Sequence, residues 1–119
     1  MQIRRMLHAA ILVSDLERAR QFYGGVLGLK EKPRHNFNFP GAWYDLGDCE
    51  LHLQVTTEPL SPAEERPRRD FHVAFLIEDY EATRRALEAA GLPYREGTSG
   101  LAQIFVRDPD GNLIELQAR

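Results

Sequence analysis

Residues 7–20, LHAAILVSDLERAR, align without a gap on residues 71–84, FHVAFLIEDYEATR. Identical pairs are His8 and His72, Ala10 and Ala74, Leu12 and Leu76, Asp15 and Asp79, Glu17 and Glu81, and Arg20 and Arg84. An internal repeat of this kind implies two copies of one supersecondary unit. The chain has 119 residues, enough for one domain's core, so each half should depend on the other.

The pattern within each half defines the unit. Ile3 to Val13 is rich in apolar residues and reads as a strand, and Ser14-Asp15-Leu16-Glu17 offers a capping box for a helix running to about Leu27. Leu16, Ala19, Phe22, Tyr23 and Val26 give that helix one apolar face, and Gly28 stands where a left-handed cap is wanted. Short strands are expected near Leu29 to Arg34, Ala42 to Leu46 and Cys49 to Thr56, with Gly47-Asp48 as a hairpin turn. In the second half, Phe71 to Ile77 reads as a strand and Asp79 caps a helix from Tyr80 to about Ala90, which Gly91 ends. Strands near Tyr94 to Glu96, Ala102 to Arg107 and Asn112 to Gln117 follow, with a turn at Asp108-Pro-Asp-Gly111. Thr57 to Asp70, with three prolines and seven charged residues, suits an exposed connector without regular structure. The reading is therefore α+β: one domain over residues 1–119, built of modules at about 1–56 and 71–119 joined by a connector at 57–70.

Composition narrows the function classes. A net charge of -3 argues against nucleic acid or an anionic membrane surface as partner. Arg66, Arg68, Arg69, Arg84 and Arg85 cluster but alternate with Glu64, Glu65, Glu81 and Glu88, which reads as a solvated salt-bridge surface. The single Cys49 fits a reducing cytoplasm, and no segment has the apolar length of a membrane-spanning helix or signal peptide.

Chemistry concentrates at the ends of the modules. Strand alternation places His8 on a face with Ala10 and Leu12, and His72 on a face with Ala74 and Leu76. Carrying the repeat to the last strands superposes LHLQ at 51–54 on IELQ at 114–117, so His52 is the twin of Glu115. Two imidazoles and a carboxylate on rigid strands, with a further imidazole beside them, suit a divalent transition metal. Phe37, Phe39, Trp43 and Tyr44 read as core or dimer contacts, His35 as a loop residue, and the loops at 35–43 and 97–103 as pocket walls.

These segments resemble the vicinal oxygen chelate superfamily, which includes glyoxalase I, fosfomycin-resistance thiol transferases, extradiol dioxygenases and bleomycin-resistance proteins. The carrying motifs are HAAILVSD at 8–15, Phe22-Tyr23, Leu27-Gly28-Leu29, HVAF at 72–75 and RDPDGNLIEL at 107–116. The resemblance implies two tandem βαβββ modules forming a curved, mixed, eight-stranded sheet around a cleft. It also implies a divalent ion (Fe, Co, Ni, Zn or Mn) held by His8, His72 and Glu115, with His52 as a fourth ligand or an acid/base group. Where glyoxalase I usually carries a glutamate, this chain has His52. The expected function is that of a metal-dependent lyase or isomerase of the glyoxalase type. It would chelate a small oxygenated substrate and stabilise an enediolate or oxyanion, with Glu115 or His52 moving the proton. Thiol transfer and dioxygenation are related possibilities, and drug or metabolite sequestration without catalysis is the alternative. Short two-module chains of this family commonly form homodimers.

Overall fold

The structure, a computed structural model, describes residues 1–119. Two compact units divide the chain, Met1–Leu60 and Ser61–Arg119. In the first, strand β1 (His8–Val13) leads into helix α1 (Leu16–Arg20) and a π-helical stretch (Gln21–Val26). Strands β2 (Lys30–Lys32), β3 (Gly41–Asp45) and β4 (Glu50–Val55) follow. The second unit runs from a 3₁₀ turn (Ala63–Glu65) through β5 (His72–Ile77), α2 (Tyr80–Ala89), β6 (Tyr94–Glu96), β7 (Ala102–Arg107) and β8 (Leu113–Ala118).

Each unit is a mixed four-stranded sheet, ordered β1-β4-β3-β2 in the first and β5-β8-β7-β6 in the second. The first and last strands of each module pair in parallel, and the other neighbours are antiparallel. The architecture is thus α+β with eight strands in two βαβββ modules, as the repeat requires. No helix is long and apolar enough to cross a membrane.

The repeated residues have the same structural duties in both halves. Asp15 and Asp79 are the helix N-caps, their carboxylates accepting the Arg18 and Ala82 amides at 3.0 and 2.9 Å. The first cap is therefore Asp15, one residue later than a box starting at Ser14. Asp15 holds the extended backbone a cap needs (φ -141°, ψ 115°), which aims its carboxylate at the third amide of the helix. Glu17 and Arg20 form an ion pair of 2.7 Å on one helix, and Glu81 and Arg84 repeat it at 2.9 Å on the other. Gly28 and Gly91 close the helical segments with φ of +73° and +70°, a left-handed backbone in which a Cβ is strained.

The first helical segment departs from the continuous α-helix expected up to Leu27. After Arg20 it widens, and the Leu27 amide bonds the Phe22 carbonyl five residues back, at 2.9 Å. Gly24 and Gly25 lie in the widened turn, where poor helix propensity removes the resistance to it. Adjacent Phe22 and Tyr23 are both buried there, so the extra residue per turn lets both rings reach the sheet. The strand expected from Ile3 also begins later, at His8, because β1 is paired only where β4 lies beside it.

The connector is tied down more than its composition suggests. Arg107 donates to the Gly111 and Pro67 carbonyls and to the Asp70 carboxylate at 2.8, 3.0 and 2.9 Å. Arg66 donates to Asn112 at 3.3 Å. One fixed guanidinium fork thereby fastens the end of the connector to the β7–β8 turn, within the unit that begins at Ser61.

Candidate functional site

Register places the candidate ligands in equivalent positions of the two units. Across β1 and β4, Ala10 faces His52; across β5 and β8, Ala74 faces Glu115. His8 and His72 each sit two residues before those alanines, so each lies diagonally across from the polar residue of its partner strand. Alanine at the intervening position leaves the diagonal open. The first unit brings together His8 and His52, and the second His72 and Glu115. No cluster of three or more histidine, cysteine, aspartate or glutamate side chains suited to a metal is found.

The two pairs differ in geometry. In the second unit, His72 Nδ1 lies 2.9 Å from the Asp70 backbone carbonyl. A carbonyl only accepts, so Nδ1 carries a proton, and it is Nε2 that is left to present the lone pair whenever the ring carries one proton. That lone pair faces Glu115 Oε1 at 3.4 Å, with Glu115 itself only 7% exposed. Two electron-rich atoms so placed call for a cation, either a proton or a metal, between them. Nitrogen and oxygen donors sharing one ion at bonds of about 2.1 Å lie roughly 3–3.5 Å apart, and the pair fits that requirement. The Asp70 carbonyl has the orienting role commonly seen behind a ligating histidine.

In the first unit the rings of His8 and His52 are stacked, 3.9 Å between centroids and 12° between planes. Imidazole nitrogens bind an ion within the ring plane, and planes this close to parallel do not meet at a nearby point. As arranged, these two rings do not aim at one ion. The other face of His52 lies on Trp43 at 4.4 Å and 9°. His52 Nε2 is 2.8 Å from Glu50 Oε1, whose carboxylate also pairs with Lys32. These contacts, His52 first and Lys32 second, hold the Glu50 carboxyl below its ordinary range. His8 makes no hydrogen bond and keeps both ring nitrogens available.

Each pair opens onto a cavity within its own unit. The cavity of the first is about 520 Å³, with His8 and His52 lined up beside Arg34, Phe37, Phe39 and Trp43. The cavity of the second is about 780 Å³ and adds Arg68, Arg69, Arg95 and the loop Gly97–Ser99 to His72 and Glu115. Arg95 lies over the Phe105 ring, 4.2 Å from its centroid. Burial, and then the charges of Arg68 and Arg107, push its pKa down.

Two expectations from sequence change here. Phe37, Phe39 and Trp43 line a cavity rather than the core, whereas Tyr44, the next inward-facing strand position, is buried. Arg84 lies among Glu81, Glu88 and Glu96 as a salt-bridge surface should, but Arg68 and Arg69 have no carboxylate partner and face the second cavity. The loops at 35–43 and 97–103 do contribute pocket walls. Glu50, expected with Gln54 to share the face of His52 and to serve in its place or shape the pocket, does line the first cavity. Arg34 and Arg95 were missed because no spacing in the sequence marks a side chain that acts only after a loop has folded over a strand.

The sequence profile of the Glyoxalase/Bleomycin resistance protein/Dioxygenase superfamily matches residues 5–116. Glyoxylase I 4 of Arabidopsis thaliana is 31% identical over 121 residues, covering 92% of this chain and 67% of that protein. Lactoylglutathione lyase of Haemophilus influenzae is 29% identical over 123 residues, covering 93% of this chain and 90% of that protein. A glyoxalase family protein from Bacillus anthracis, known from its crystal structure, superposes with a TM-score of 0.82 at 25% identity, over 100% of this chain and 98% of that one. Twinned modules, the paired polar residues at matched register and a profile spanning nearly every residue lead to one assignment: the chain belongs to the glyoxalase/bleomycin resistance protein/dioxygenase superfamily.

Proposed function

We propose that this protein is a divalent-metal-dependent enzyme of the glyoxalase type, with His8, His72 and Glu115 as its metal ligands. The observation that carries the reading is His72 Nε2 facing the Glu115 carboxylate at 3.4 Å while Nδ1 is held by the Asp70 carbonyl. Similarity to a lactoylglutathione lyase supports it. An ion held there supplies Lewis-acid stabilisation for the enediolate or oxyanion of a small oxygenated substrate. Asp70 fixes the tautomer and direction of His72, and β8 holds Glu115 in a largely buried position from which its carboxylate can exchange a proton. His52, tied to Glu50, is the second group we assign to proton movement. Arg68, Arg69 and Arg95 supply a positive field suited to the carboxylates of a thiol adduct.

Leu12 and Leu76, twin positions 47% and 72% exposed on the histidine-bearing strands, suit a homodimer. The single thiol suits a cytoplasmic setting. Metal content after purification, combined with turnover of the methylglyoxal–glutathione adduct, tests the reading. Binding of divalent metal with adduct turnover is the expected result. A protein that takes up no divalent ion contradicts the proposal, whereas inactivity on that adduct alone excludes only the glyoxalase I reaction. Sequestration of a drug or metabolite is the second reading, favoured by the aromatic lining of the first cavity. Tight ligand binding with neither metal nor turnover would carry it.

A further inference from the structure

Arg34 is a cation without a counter-ion, built into the wall of the first cavity. Its guanidinium carbon lies 4.8 Å from the centroids of both Phe37 and Phe39, whose rings stack on each other at 5.3 Å. Its Nε is buried and has no hydrogen-bond partner. Nε and one terminal nitrogen would lie 3.0 Å from a Cβ at position 41, so the absence of a side chain at Gly41 provides the space that the guanidinium occupies. Two carboxylates line the same cavity, Asp48 and Glu50. Glu50 is engaged by His52 and Lys32, and neither acid pairs with Arg34. Arg5, the other arginine of the lining, donates to the Asp48 backbone carbonyl at 2.6 Å. Ring faces attract a cation only weakly compared with a carboxylate, so Arg34 retains an unmet demand for an anion.

The rest of the wall sets the shape of that anion. Trp43, His52 and His8 form one continuous row of parallel rings, and Phe37 lies beside Trp43 with its ring tilted by 58° and centroids 6.1 Å apart. Both faces of His52 are covered by its neighbours, so Trp43 and Phe37 are the aromatic rings of the lining offered to an occupant; such surface favours a flat one, and a cavity of about 520 Å³ accommodates it. We infer that the first cavity binds a small planar carboxylate, its carboxylate held by Arg34 and its flat body lying against Phe37 and Trp43. The inference deepens the proposed function by naming a substrate class, and rests on that reading only because His8 lines the same cavity.

The test uses the sole tryptophan as reporter, since Trp43 lies in this wall. The full chain is titrated with benzoate, with its neutral counterpart benzamide and with acetate, following Trp43 fluorescence in the presence of a chelator. Benzoate is expected to bind at least about tenfold more tightly than either of the others, the discrimination typical of one charge-assisted contact. Arg34→Gln should weaken benzoate by about tenfold or more, Arg34→Lys should restore part of that loss, and Arg85→Gln, an exposed arginine outside the cavity lining, should leave it unchanged. No benzoate binding by the native chain, equal binding of benzamide, or undiminished binding by Arg34→Gln would overturn the inference. Because the chelated protein is used, a failure of the metal reading leaves this outcome standing, and the reverse also holds.

Discussion

Replacing His52 separates two roles that the sequence left open. The imidazole is 7% exposed and stacked on both faces, by Trp43 at 4.4 Å and by His8 at 3.9 Å. An aromatic pair contributes about 0.5–1.5 kcal/mol beyond its buried area, so losing both stacks in His52→Ala removes about 1–3 kcal/mol. At roughly 3–5 °C per kcal/mol for a chain of this size, the unfolding midpoint should fall by about 3–15 °C. His52→Phe keeps both stacks and loses only the link to Glu50, whose carboxylate still has Lys32, so its midpoint should fall by less than about 4 °C. Metal affinity is the decisive readout. A residue that only orients a ligand changes affinity by about 10–100-fold, and His52→Phe, which preserves the platform under His8, should lie at or below the low end of that range. Calorimetric metal titration beside thermal unfolding gives both quantities on the same samples. If His52→Phe abolishes metal binding as completely as His72→Ala while remaining folded, the stacked-platform account is wrong and His52 is a ligand.

Other consequences can be measured independently of the metal. The Tyr94 hydroxyl donates to Glu88 at 2.6 Å and accepts from Arg84, and the Glu88 contact raises its pKa above the ordinary phenol value. A group raised on folding stabilises the fold below its unfolded pKa of about 10, and that contribution is lost as pH rises through the folded value. Spectrophotometric titration of Glu88→Gln should therefore show a phenol moving back toward 10, and an unchanged curve would refute the assignment. Gly41→Ala should destabilise by about 3 kcal/mol, since a Cβ there would lie 2.3 Å from the Leu53 carbonyl oxygen; a neutral effect in denaturant unfolding would contradict the packing described. Gly91→Ala, with open space around it but φ of +70°, should cost only about 1 kcal/mol in the same assay.

Much of the fold was legible because the repeat imposes the same local rules twice. Asp15 and Asp79, Glu17 and Arg20, Glu81 and Arg84, Gly28 and Gly91 recur for caps, ion pairs and helix ends that depend only on near neighbours. The pairing of His52 with Glu115 as twins is matched by the strand registers. What escaped the sequence depends on contacts that no local pattern encodes. The π-helical turn answers the need to bury Phe22 and Tyr23 together, and the tethered connector answers the donors of Arg107 forty residues away. Side-by-side stacking of His8 and His52 is of the same kind. Alternation fixes the face on which an imidazole lies, but not whether its nitrogens converge with those of a neighbour.

In the proposed site a divalent ion lies between His72 Nε2 and the Glu115 carboxylate. Elemental analysis of the purified chain after exposure to divalent transition metals and desalting tests it most directly, with His72→Ala and Glu115→Ala run in parallel. Stoichiometric retention by the native protein, lost in both variants while their folds persist, is the predicted result. A native protein that retains no divalent ion, or variants that retain it undiminished, would contradict it.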